Sequence, residues 1–176
     1  MIKAVNMAAV LLTASVFAGN LTFESGIIKA HTEMALDRKI DPFLKKATSY
    51  LSMESAPSTL KGSIEVSMGD FMSDNKRRDK DMHETLESSL FPKAVFEIKE
   101  VVAKEGNTVI LKGMMTLHGV TKPMNFEGTI TQEGANVYIK AANEMKMSDF
   151  GIKPPSLMFL TVRDQVDLSV DISLKR

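Results

Sequence analysis

The chain is 176 residues long, balances 22 basic against 22 acidic side chains, and has 6% aromatic residues with no tryptophan. Balanced charge and scarce rings exclude the usual nucleic-acid-binding profile, which needs a basic excess to meet phosphate. No cysteine is present, which excludes disulfides, thiolate metal sites and a lipid-attached cysteine.

The first eighteen residues read as a signal peptide. Lys3 supplies the positive region, Ala8 to Val16 the short apolar segment and Val16-Phe17-Ala18 a cleavage site. Residues 19–176 then form one domain. No later run approaches the roughly 20 apolar residues that span a bilayer, so an exported, periplasmic chain with no membrane segment is expected.

Strands follow, separated by short turns. From about Ile27, Ile28, Ala30, Thr32, Met34 and Leu36 share one face, and Asp41-Pro42 ends the run. Ile64, Val66 and Met68 alternate with polar neighbours, and Val95 to Val102 continues the pattern. Asp74 reads as an N-cap for a helix over Arg77–Ser89, with Met82, Leu86 and Leu90 at helical spacing and Phe91-Pro92 at its end. Such a helix either plugs a barrel mouth or lies on the outer wall.

Further on, Val109, Leu111, Gly113, Met115 and Leu117 fall on one face. Met124, Phe126, Gly128 and Ile130 form the apolar phase of the next strand, and Val137, Ile139, Ala141, Met145 and Met147 that of the one after. Between Met158 and Leu174 every even position except Asp164 is apolar, and most odd positions are polar. A period of two means a ribbon with one apolar face, and one this long suits a closed or coiled sheet. The expectation is an all-β antiparallel barrel with an apolar interior and one short helix.

Motifs for catalysis and metal binding are missing. Three histidines, His31, His83 and His118, sit on separate elements, and neither HExxH, a Gly-x-Ser-x-Gly elbow, a P-loop nor a dinucleotide fingerprint occurs. His83 and Glu87 are four apart, a spacing that more often marks an exposed face than a metal site. The compositional anomaly is methionine, with 13 residues. Its flexible thioether suits either ordinary core gaps or a cavity for a floppy apolar guest.

The ordered set Ala30-His31-Thr32, Asp74 to Asp79 ahead of a helix, Phe91-Pro92-Lys93-Ala94-Val95-Phe96, Leu117-His118-Gly119-Val120-Thr121-Lys122-Pro123 and Ser148-Asp149-Phe150-Gly151-Ile152 resembles the YceI-like family of bacterial periplasmic proteins. The resemblance implies an extended, lipocalin-like, eight-stranded antiparallel barrel around a long apolar tunnel. It also implies a polyisoprenoid, isoprenoid quinone or fatty amphiphile as ligand, and pairing as a homodimer. The segment from Asp37 to Lys46 departs from the family's second strand, so the first hairpin, the entrance and the ligand choice do not carry over from the resemblance.

A void of several hundred Å³ inside such a barrel would cost on the order of 10 kcal/mol at ~24 cal/mol per Å³. Either side chains fill the interior or a ligand does. The expected function is therefore a non-enzymatic carrier of a long apolar molecule, with no cofactor, metal or nucleic acid. Its tunnel would be lined by Ile64, Val66, Met68, Phe96, Leu111, Met115, Leu117, Phe126, Ile139, Met145, Met158, Leu160 and Val162, and its polar rim built from Arg78, His118, Lys122 and Asp149. The rivals are an enzyme acting on a lipid-like substrate, for which Asp164 in its apolar row is the natural acid or base, and a packed barrel serving as a protein interaction module.

Overall fold

The computed structural model describes residues 19–34, 38–157 and 160–176. The expected signal peptide, Leu36 and the expected tunnel residue Met158 lie outside them.

The chain forms strands β1 (Gly19–Met34), β2 (Arg38–Ile40), β3 (Phe43–Leu44), β4 (Thr48–Met53) and β5 (Lys61–Ser67), then helix α1 (Lys76–Thr85). After the helix come β6 (Lys93–Ala103), β7 (Thr108–Leu117), β8 (Val120–Glu133), β9 (Asn136–Lys146), β10 (Ser156–Leu157), β11 (Leu160–Thr161) and β12 (Gln165–Lys175). Strands β4 to β9 pair antiparallel in sequence order, β12 joins β9, and β12 also pairs with β1, which returns to β4. The result is a closed eight-stranded antiparallel barrel, with β2 and β3 as short additions along β1. Closure removes the sheet edges that would otherwise invite pairing with another chain.

Alternation decides which face turns inward. On β7, Val109, Leu111, Gly113 and Leu117 are buried while their neighbours are not, and on β9 Val137, Ile139, Ala141 and Met145 behave alike. Two strands change phase partway. A register shift between Phe23 and Ser25 passes the inward face of β1 from Leu21 and Phe23 to Gly26, Ile28, Ala30 and Thr32. A shift between Ile98 and Glu100 does the same on β6, from Ile98 to Val101. The extra residue of a bulge advances the side-chain phase by one. That phase change conceals residues 19–26 from a search for strict alternation.

The long ribbon expected between Met158 and Leu174 is two pieces. Leu160 pairs with Leu157 in the separate β10–β11 hairpin, and Val162 bridges Met34, so neither stands on a barrel strand. The break falls at Asp164, whose carboxylate accepts hydrogen bonds from Ser148 N at 2.8 Å and Ser148 Oγ at 2.5 Å. Those bonds tie the turn of residues 147–150 to the start of β12. The helix also differs at its start, because Asn75 caps it by accepting from the backbone N–H groups of Arg77 and Arg78. Asp74 instead meets Arg78 Nη1 at 3.4 Å.

Candidate functional site

The two ends of the barrel are finished differently. At the end formed by the start of β1, the end of β4 and the β8–β9 turn, Leu21, Met53, Val137 and Leu174 are each at most 1% exposed. Arg176 reaches over this end and donates to the carbonyl oxygens of Met53 and Glu54. Phe96 and Phe126 meet edge to face inside the barrel with centroids 4.9 Å apart, an arrangement worth ~0.5–1.5 kcal/mol beyond burial. Gly113 leaves the space for that ring, since a Cβ there would stand 2.8 Å from Phe96.

Towards the opposite end the inward face loosens. Ile28 and Ala30 on β1 stand opposite Val170 and Leu168 on β12, and Ile64 on β5 stands opposite Phe96 on β6. Ile28, Ala30, Ile64, Val66, Leu168 and Val170 pack against the core yet keep accessible surface. Side chains in an inward phase can keep such surface only where the interior or a seam leaves room for a probe the size of water. The sheet is also incomplete on this side. β1 and β4 share only three paired positions, Gly19 to Leu21 against Met53 to Leu51. A crevice of about 600 Å³ lies where they part, lined by Phe23, Lys45, Lys46, Thr48, Glu65 and Lys93 among others. Lys93 pairs with Glu65 at 2.8 Å, and that hydrogen bond raises its pKa.

The expected tunnel residues divide accordingly. Phe96, Leu111, Leu117, Phe126, Ile139 and Met145 are buried in the inward phase of barrel strands, and Ile64, Val66 and Met115 are partly buried against the same core. Met68 is buried in a 3₁₀ turn just beyond β5. Leu160 and Val162 belong to the connection before β12, which removes both from the barrel wall. The residues the expectation passed over are Ile28, Ala30, Leu168 and Val170. Their alternation was visible, but which inward residues keep accessible surface depends on strands far apart in sequence.

Three of the four expected rim residues gather at the looser end. His118 and Gly119 form the two-residue β7–β8 turn with φ of 51° and 74°, the left-handed pair a tight hairpin requires. That turn presents the His118 ring to Phe91, with centroids 4.3 Å apart, to Glu87 Oε2 at 2.7 Å and to the Phe150 carbonyl oxygen at 3.2 Å. Lys122 Nζ donates to Asp149 Oδ1 at 3.1 Å. Arg78 stands apart, engaged with Asp74. Helix α1 joins the ends of β5 and β6 over this side, where Met82 and Leu86 pack against the core. His83 and Glu87, four apart in sequence, take separate partners, since His83 Nε2 lies 2.8 Å from the Phe71 carbonyl oxygen while Glu87 goes to His118.

Two acidic networks lie at the same end. Asp164 has its pKa lowered by the Ser148 hydroxyl and then by the Ser148 backbone N–H, which stabilise its charged form. A proton donor needs the opposite shift. On the neighbouring wall His31 Nδ1 lies 2.5 Å from Asp41 Oδ1 and its Nε2 3.3 Å from Glu33 Oε1. The bond to Asp41 raises the His31 pKa, with burial opposing and Glu33 assisting. Burial works against ionisation of Asp167, but hydrogen bonds from Gln165 and Arg163 outweigh it and lower the pKa.

A second cleft of about 590 Å³ runs along α1 and is lined by Lys76, Asp79, His83, Glu84 and Leu90 among others. Among the described residues no helix is long and apolar enough to cross a membrane.

A family model for the YceI-like domain matches residues 14–174. UPF0312 proteins of Pseudomonas putida and Pseudomonas fluorescens are 30% and 31% identical, over 65% and 68% of this chain, and the chain spans 63% of the length of each. Among solved structures, BcnA of Burkholderia cenocepacia has a TM-score of 0.74 at 16% identity, covering 85% of this chain and 95% of that one. A polyisoprenoid binding domain from Saccharophagus degradans has a TM-score of 0.66 at 10% identity, covering 89% of this chain and 97% of that one.

Proposed function

The chain belongs to the YceI-like domain family, and from that membership we propose that its barrel holds a long-chain apolar molecule, as a non-catalytic carrier or store in the periplasm. The observation that carries this reading is the accessible apolar row Ile28, Ala30, Ile64, Val66, Leu168 and Val170, inward-facing on a barrel whose other end is sealed. A polyisoprenoid, an isoprenoid quinone or a fatty amphiphile has the length and flexibility to lie along such a row, and the similarity to a polyisoprenoid binding domain supports the first of these. The open end of the guest's path would be rimmed by His118, Lys122 and Asp149. Entry through the β1–β4 seam is supported by its three-pair ladder and the crevice beside it.

Each burial of a CH₂ group contributes ~0.8 kcal/mol, so a chain of ten buried methylenes supplies about 8 kcal/mol before the costs of immobilisation. The test is native mass spectrometry of protein recovered from its own cell envelope, followed by organic extraction. The expected result is an added mass of a few hundred daltons or more that extraction removes, together with a fall in Tm. Unchanged mass and Tm would leave a packed barrel that binds no lipid and overturn the proposal.

A further inference from the structure

Asn143 is a polar side chain in an apolar row. It follows Val137, Ile139 and Ala141 and precedes Met145 in the inward phase of β9. The β8–β9 ladder stops just before it, at Glu127 against Ala142. Asn143 Nδ2 spans the gap and donates to the backbone carbonyl of Asn125. That carbonyl can only accept, so the amide must turn its NH₂ towards it and its oxygen away. Among the described residues, Asn143 Oδ1 has no hydrogen-bond partner and is closed to water. A buried acceptor without a donor disfavours the fold relative to an apolar side chain of similar size.

The position of this acceptor gives it a use. Asn143 stands opposite Leu168 on β12, and Leu168 stands opposite Ala30 on β1. The three residues form one row around the inner wall, and the last two belong to the accessible apolar surface. We propose that Asn143 Oδ1 is the polar anchor of the barrel and selects long-chain ligands that carry a hydrogen-bond donor, of the alcohol class, over chains ending in an ether or a carboxylate. This rests on the carrier reading. The hydroxyl donates to Oδ1 after a small separation of the packed side chains, while Nδ2 keeps its bond to Asn125. An ether offers no donor, and an ionised carboxylate presents a second acceptor to the first.

The test compares hexadecanol with its methyl ether, both titrated into the wild-type protein and Asn143→Leu. The expected result is a preference for the alcohol of about tenfold in wild type, falling to parity in Asn143→Leu while the ether binds equally to both. Asparagine labelled with ¹³C at the amide carbonyl provides a second measurement that needs no variant, in which the alcohol and not the ether shifts the Asn143 signal. Equal binding of the two probes by wild type, or a preference that survives in Asn143→Leu, would overturn the anchor and leave the carrier reading intact. Failure of both probes to bind wild type would overturn the anchor and the carrier reading together.

Discussion

Single residues at the looser end set how the protein responds to pH. Asp164 is held as a carboxylate by Ser148, so its folded pKa lies below the ordinary 3.8. The stability it contributes is present above that value and is lost as pH falls through the folded pKa. Asp164→Ala should cost about 1 kcal/mol at pH 7, read as a lower urea midpoint, and the gap to wild type should close in acid. His31 behaves in the opposite sense, since Asp41 raises its pKa above 6.5. Its contribution is fully present below pH 6.5 and is lost as pH rises through the folded value. His31→Asn should therefore destabilise the protein at pH 5.5 and approach wild type in alkaline buffer; a difference that grew with pH would refute the His31–Asp41 account. Charging Leu168, as in Leu168→Asp, should abolish uptake of an apolar probe, whereas Ser169→Asp, one step along on the exposed face, should leave uptake unchanged.

Elements follow from the same local rules where alternation is unbroken. β7 and β9 were legible because Val109 to Leu117 and Val137 to Met145 each keep one phase throughout, with Asn143 the polar exception on β9. β1 was half legible, because the bulge between Phe23 and Ser25 changes the inward phase within one strand. The last ribbon read as continuous because Val162 and Val166 share the even phase. The break lies with Asp164, and its partner Ser148 stands sixteen positions away in sequence. The helix start was misplaced by one residue, as Asp74 and Asn75 are both good capping side chains and only the backbone geometry chooses between them. Asn75→Ala should thus lower stability by about 1 kcal/mol in thermal or urea unfolding, and Asp74→Ala by much less, since its pair with Arg78 is exposed.

At the scale of the molecule, a ligand that binds only the folded barrel must stabilise it by mass action. Saturation at a hundred times Kd should add about 2.7 kcal/mol to unfolding, seen as a rise in Tm of several degrees that depends on ligand concentration. The β1–β4 seam offers a kinetic counterpart. Ala47→Trp, at the crevice lined by Phe23 and Thr48, should slow uptake of an apolar fluorophore while leaving its equilibrium Kd nearly unchanged. The chain has no tryptophan of its own, so the new indole also reports directly on the seam through its emission.

Sequence alone determined that this protein is a barrel of antiparallel strands with an apolar inner face, because a two-residue period, frequent turns and a lack of long helices leave few other ways to bury that face. It also determined, through the ordered motifs, the family. Tertiary structure decided which apolar residues fill the interior and which keep accessible surface, since Leu174 and Leu168 share one phase of one strand and differ only in what faces them. It decided as well that Asn143 keeps an orphaned acceptor at the end of the β8–β9 ladder. Both depend on distances between strands remote in sequence, and no local pattern carries those distances.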